Sequence, residues 1–167
     1  IARRLMKHLT PEMLVLLDAG FFGYCLLKLI LGAGAQFLVN VSKTPLLQPF
    51  ETLSDGSCLS RIYASTKDRE KGRNGTVVRV IKYQLDDPQR PGHGQTRRLV
   101  TSLLDATAHP AQTLILLYHE RWEHELMNDE QKTHQDPRRP QKPTHLRSET
   151  PAGVVQEMYG LSLAHFV

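Results

Sequence analysis

The sequence predicts an α/β fold in which a β-rich segment lies between two parts of a helix-packed sheet. A β-α-β pattern opens the chain, β-rich runs fill the middle, and a helical period returns near the end. The chain of 167 residues is 40% hydrophobic and 23% charged, as in ordinary globular proteins. A chain of this length buries a substantial core, so we expect it to fold.

The β-α-β pattern predicts two parallel strands joined by a helix. Met13 to Leu17 is an apolar run of strand length that ends at Asp18. Phe22 to Leu31 is expected to be helical, because glycines follow it directly, and Gln36 to Val41 is a second buried strand. A short helix is expected earlier, over Ala2 to Leu9.

The middle of the chain, residues 45–110, is expected to form a β-rich insertion lobe. Polar turns rich in Gly, Pro and Asp separate its β-rich runs, which are Cys58 to Ala64, Thr76 to Leu85 and Arg97 to Leu104. Residues 1–44 and 111–167 are then the two parts of the core.

The last part of the chain predicts two helices. The first covers Ala111 to Lys132, and the second covers Pro151 to Phe166, where Pro151 suits a first helical turn. Asp136 to Pro143 is a connector rich in Pro and Arg between them.

Charge and cysteine content limit the function classes. The net charge of +4 permits a polyanionic partner without requiring one. Asp18, Lys28 and several glycines interrupt the apolar span from Met13 to Val41, so we expect no membrane helix. Cys25 and Cys58 are too few for a disulfide framework or a CxxC metal site, which indicates a reducing, cytoplasmic setting. Cys25 is expected to be a small buried hydrophobe.

One face of the predicted helix over Ala111 to Lys132 carries the residues with the clearest chemistry. At 100° per residue, four side chains lie within about 60° of one another: Tyr118, Arg121, Glu125 and Lys132. A carboxylate flanked by cations and a phenol suits a metal-bound phosphodiester, because the cations neutralise phosphate oxygens while the carboxylate holds the ion.

Two further residues leave alternatives open. Trp122 lies beside this stripe, where it either stacks on an exposed base or anchors the helix in the core. Asp18, at the end of its strand, is either a helix cap or a metal ligand.

The spacing of the stripe resembles that of a known enzyme family. Tyr118, Arg121, Glu125 and Lys132 are separated by two, three and six residues, which is the signature of insertion-sequence DDE transposases of the IS-four type. The Gly20-Phe21 pair after Asp18 and the later Leu85-Asp-Asp-Pro88 also look like the family, so the similarity covers nearly the whole chain.

This resemblance implies a ribonuclease H-like fold in which two Asp and one Glu bind two Mg²⁺ ions, with Mn²⁺ as a possible substitute. Asp18 would be the second Asp and Glu125 the Glu, and the insertion lobe would lie between them. The ions promote in-line attack at phosphorus during DNA cleavage and strand transfer. By the same resemblance, Tyr118, Arg121 and Lys132 contact phosphates, and Trp122 stacks on a displaced base.

The expected partner is double-stranded DNA, both at the transposon ends and at the target. Four more cations follow the stripe and would extend the DNA-contacting surface, or else form a solvated basic loop: Arg138, Arg139, Lys142 and Arg147. By analogy, the full-length protein works as a homodimer in a bacterial cytoplasm, associated with the nucleoid.

Two departures from the family pattern qualify this reading. The first Asp should lie on a strand upstream of Asp18, and Glu12, the only other acid there, is outside any strand pattern. Ala19 stands where many relatives have an Arg. We therefore expect a catalytic-domain fragment that is inactive alone. The alternatives are a truncated inhibitor that binds DNA or dimerises with a full-length transposase, and a ribonuclease H-like nuclease.

Overall fold

The computed structural model describes residues 6–41, 46–84, 94–120, 148, 150–156 and 159. The chain divides into two compact units, Ile1–Tyr118 and His119–Val167. The first unit is built on a six-stranded mixed sheet, which confirms the predicted α/β class. Its strands are β1 (Leu14–Leu17), β2 (Gln36–Asn40), β3 (Glu51–Thr52), β4 (Cys58–Ile62), β5 (Thr76–Gln84) and β6 (Thr96–Thr101).

The β-α-β unit forms as predicted. Helix α1 (Tyr24–Gly32) connects β1 to β2, which pair in parallel with Leu17 opposite Val39. Gly34 has φ +81°, a backbone conformation that glycine adopts without a steric penalty, and this lets the chain turn from α1 into β2. The expected helix over Ala2 to Leu9 is described only as a single 3₁₀ turn, Met6–His8.

The strands predicted for the middle of the chain continue the same sheet. Strand β6 pairs antiparallel with β2, and β5, β4 and β3 follow, so the order is β1-β2-β6-β5-β4-β3. The three predicted β runs are confirmed as β4, β5 and β6. The division into a core and an insertion lobe stays a prediction.

Two elements were absent from the prediction. Strand β3 has only two residues, too few for a periodic signal. Ser65 is the N-cap of helix α2 (Thr66–Glu70), and its hydroxyl oxygen accepts a hydrogen bond from the Asp68 amide at 3.1 Å. That side-chain cap stabilises a helix too short to show an apolar period.

Residues on the two faces of the sheet pack against different helices. On one face, Leu27 and Ile30 of α1 join Phe37, Val39 and other buried side chains. On the other face, residues 111–120, which are helical and are called α3 here, pack through Ala111, Leu114 and Tyr118. The first unit is therefore an α/β/α sandwich, and its two cores lie on opposite sides of one sheet.

Three further predictions concern membrane helices, the burial of Cys25 and the helix after Thr150. Among the described residues, no helix is long and apolar enough to cross a membrane. Cys25, expected to be buried, is exposed, because α1 turns Leu27 and Ile30 toward the core instead. Residues 151–156 are helical, as predicted from Pro151, and the Thr150 hydroxyl oxygen accepts from the Gly153 amide at 3.2 Å.

Candidate active site at the carboxyl end of β1

Asp18 lies directly after β1, and its side chain is exposed. It caps the 3₁₀ turn Ala19–Phe21, where its Oδ1 accepts from the Ala19 amide at 2.9 Å. A carboxylate offers about four lone-pair sites on two oxygens. The cap is therefore compatible with metal ligation, and both readings of Asp18 can hold at once.

The alternation of β1 assigns Asp18 to one face of the sheet. Leu14 and Leu16 pack in the core beneath α3, whereas Val15 and Leu17 pack in the core beneath α1. Asp18 is extended, with φ −78° and ψ 162°, so the period of two places it on the Leu16 side. Its carboxylate thus belongs to the face that α3 covers.

Tyr118 connects α3 to the end of this strand. Its side chain is 1% exposed, and its hydroxyl donates to the carbonyl oxygen of Leu17 at 3.0 Å. Leu17 is the last residue of β1 and precedes Asp18, so the bond fixes the backbone that carries the carboxylate. The predicted phosphate contact of Tyr118 stays a prediction, and its burial gives it a structural role that the sequence did not indicate.

The sheet register brings a cation to the end of the sheet where Asp18 lies. Asn40 at the end of β2 pairs with Leu99 of β6, and because these strands are antiparallel, Arg97 lies beyond the carboxyl end of β2. Burial raises the pKa of the Tyr83 phenol, while the charge of neighbouring Arg97 opposes that increase. Arg97 and Tyr83 are cross-strand partners, and Arg97 lies at the same end of the sheet as Asp18, on the second strand from β1.

A cluster of polar contacts around the buried Arg79 holds the segment that leads into α3. Arg79 is fully buried and forms an ion pair with Asp55, and its Nε donates to the Ser57 hydroxyl oxygen at 2.7 Å. Its Nη1 donates to the His109 carbonyl oxygen at 2.6 Å, and Asp55 Oδ2 accepts from the Ala111 amide at 2.8 Å. Asp55 thereby satisfies a backbone donor in the first turn of α3.

The environment of Asp55 favours its charged form. Partial burial alone would raise its pKa, but hydrogen bonds from Ser57 and Ala111 and the positive charge of Arg79 together lower it. The Asp55–Arg79 cluster was not predicted from the sequence. The available signal was a charged residue within the apolar run of β5, Val77-Val78-Arg79-Val80-Ile81.

The other predicted site residues lie outside the described residues. They are Arg121, Trp122, Glu125, Lys132, Arg138, Arg139, Lys142 and Arg147. In the part of the chain that is described, no three His, Cys, Asp or Glu side chains come together to hold a metal ion. Of the predicted site, the structure therefore describes Asp18 and Tyr118, which it brings to the same strand end.

A family model for the transposase DDE domain matches residues 1–167, which is the whole chain. No curated protein matches it.

Proposed function

The chain belongs to the transposase DDE-domain family, and from this premise we propose that it carries out metal-dependent DNA cleavage and strand transfer at insertion-sequence ends. The observation that carries the proposal is the exposed Asp18 carboxylate at the carboxyl end of a parallel strand, within a family whose chemistry depends on acidic residues. The spacing of Tyr118, Arg121, Glu125 and Lys132 makes the IS-four type our more specific proposal.

Asp18 and Glu125 are the residues proposed to hold the divalent ions, Mg²⁺ in the first instance and Mn²⁺ as a substitute. Asp18 fits this role, because an exposed carboxylate supplies the oxygen ligands that Mg²⁺ prefers. When bound, such ions activate the attacking oxygen and stabilise the leaving oxygen of a phosphodiester.

The remaining proposed roles concern the DNA. Arg121 and Lys132 neutralise phosphate oxygens, Trp122 stacks on a displaced base, and Tyr118 holds the backbone before Asp18. Arg97, at the same end of the sheet as Asp18, adds positive charge for a phosphate bound at that end. A ribonuclease H-like core, paired protomers on paired ends and a nucleoid setting complete the proposal.

The direct test is cleavage and strand transfer of an end-containing plasmid with Mg²⁺, using the protein from the complete gene. Asp18→Asn and Glu125→Gln should each lower the rate by roughly 100-fold or more, because losing an outer-shell partner of a metal ligand already costs about 10- to 100-fold. Glu123→Gln is the matched control. It changes the same residue type, about 160° around the predicted helix from Glu125.

The products separate the related activities. Joining of the cleaved end to target DNA supports a transposase, whereas cleavage without joining supports a nuclease on the same fold. Full activity in Glu125→Gln would overturn the assignment of Glu125.

A further inference from the structure

A groove with arginine and aromatic walls lies where the end of β4 leads into α2. Two adjoining cavities, of about 300 and about 180 Å³, share four lining residues: Leu46, Arg61, Tyr63 and Arg69. Phe22 lines the larger cavity and Phe50 the smaller. We call this feature the Arg61–Arg69 groove and infer that it binds one strand of DNA. The inference rests on the proposed function, because it supplies a contact for that DNA.

The charge around the groove suits a polyanion. Residues 61–73 contain five Lys or Arg and two Asp or Glu, a net charge of +3 in a chain whose total is +4. Arg61 and Arg69 are exposed, and among the described residues neither forms an ion pair. Exposed guanidiniums bind phosphate oxygens through paired hydrogen bonds.

Asp68, one of the two acidic residues of this segment, is part of a helix cap. The Asp68 carboxylate accepts from the Ser65 hydroxyl at 2.6 Å, as part of the cap that starts α2. This cap positions the short helix that carries Arg69.

The groove wall is preorganised by close packing. The Arg61 guanidinium lies over the Phe50 ring, 4.5 Å from its centroid, which orients the cation. Gly75 lies against Arg61 in β4 and against Tyr63, which directly follows β4. A Cβ there would be 2.8 Å from Tyr63 Cε1 and 3.0 Å from Arg61 Cδ. Only glycine therefore allows this placement of Arg61 and Tyr63.

Aromatic side chains beside the cations favour a single strand over an intact duplex. Phe22, Phe50 and Tyr63 offer ring surfaces in a concave site, where an unstacked base can pack while its phosphates meet the arginines. In a duplex the bases are stacked and paired, so only backbone contacts would remain. Phe22 follows Asp18 by four residues, which links the groove along the chain to the candidate active site.

The test measures binding of a fluorescein-labelled 20-nucleotide single strand, and of the matching duplex, to the full 167-residue chain by fluorescence anisotropy. The double variant Arg61→Ala/Arg69→Ala should weaken single-strand binding roughly tenfold and reduce the salt slope by about 1.4, as expected for two lost phosphate contacts. Tyr63→Ala should weaken it by roughly 5- to 150-fold, the range for losing one stacked base.

Lys67→Ala/Lys71→Ala is the matched control. It removes the same charge from the same segment, but neither lysine lines the groove. The inference predicts a clearly smaller loss in this control, and a smaller effect of Tyr63→Ala on the duplex than on the single strand. Circular dichroism spectra should show that each variant is folded.

Equal losses in the two double variants would overturn the inference, because they would indicate general attraction between charges. Unchanged binding in the arginine variant would overturn it as well. Neither result affects the proposed catalytic function, which depends on Asp18→Asn and Glu125→Gln. If those variants retained activity while the groove variants lost binding, the proposed function would fail and the groove would remain a DNA site.

Discussion

At the scale of single residues, Arg79 is the buried charge that holds the segment leading into α3. It contacts Asp55 and Ser57 from one side and the backbone oxygen of His109 from the other. Arg79 is fully buried, whereas the Asp55 side chain is 20% exposed, so the ion pair is partly buried. Such a pair contributes little relative to an apolar replacement of both partners, but removal of one partner leaves the other without its counter-charge. The cluster is therefore sensitive to single substitutions.

Arg79→Met should lower the free energy of unfolding by about 3 kcal/mol, because Asp55 would keep its charge without its partner. Urea denaturation followed by circular dichroism measures this change. The double variant Asp55→Asn/Arg79→Met should lose less than the sum of the two single variants. Strict additivity would mean that the two side chains are not energetically coupled.

Asp55 should also make stability depend on pH in the acidic range. Its pKa in the folded protein is below the ordinary value of 3.8, so its stabilising contribution is complete above that value. The contribution is lost as the pH falls through the lowered folded-state pKa. Urea midpoints between pH 5 and pH 2.5 should therefore fall more steeply in the wild type than in Asp55→Asn. Parallel curves would contradict the lowered pKa.

At the scale of elements, the contact between α3 and β1 matters most for the candidate site. Leu114 and Tyr118 pack on the sheet in the same core as Leu16. The Tyr118 hydroxyl then reaches the last carbonyl of β1. The position of the strand end that carries Asp18 thus depends on a helix about 100 residues later in the chain.

Tyr118→Phe should destabilise the fold by only about 1 kcal/mol, the usual value of one neutral hydrogen bond. Amide hydrogen exchange near Leu17 and Asp18 should nevertheless become faster, and Mn²⁺ should bind more weakly, as isothermal titration calorimetry would measure.

Tyr24→Phe is the control for this change, since its hydroxyl also donates to a backbone oxygen, that of Asn74, at 3.1 Å. It removes the same group at another place in the fold. If both variants altered Mn²⁺ affinity equally, the specific role of Tyr118 would be refuted.

At the scale of the whole molecule, the sheet joins segments that the sequence separates. Strands from the predicted core and from the predicted insertion lobe are hydrogen-bonded neighbours, with β2 against β6. Ile81 and Leu99, from the predicted lobe, share a core with Leu38 and with Tyr118 of α3. The hydrophobic core of the first unit therefore draws on both predicted domains.

We expect these segments to unfold together. Native-state hydrogen exchange under increasing denaturant should give the buried amides of β2 and β5 the same free energy of opening. Separate free energies, with β5 opening while β2 stays protected, would show that residues 45–110 behave as an independent lobe.

Several features could be predicted from the sequence because they are local. The apolar runs that form β1 and β2, the glycine that ends α1 and the three β runs of the middle segment each depend on a few consecutive residues. The family, too, was identified from residues at fixed spacing along one predicted helix, together with Asp18 after its strand.

Other features depend on contacts between residues that are distant in the chain. The sequence determined that Asp18 ends a strand and that Tyr118 lies on an amphipathic helix. Only the tertiary structure decided that the Tyr118 hydroxyl meets the Leu17 carbonyl, and that Asp55, 56 residues away, caps the start of α3. The physical reason is that local patterns fix whether a segment is helix or strand, whereas hydrogen-bond partners of buried polar groups depend on how the whole sheet packs.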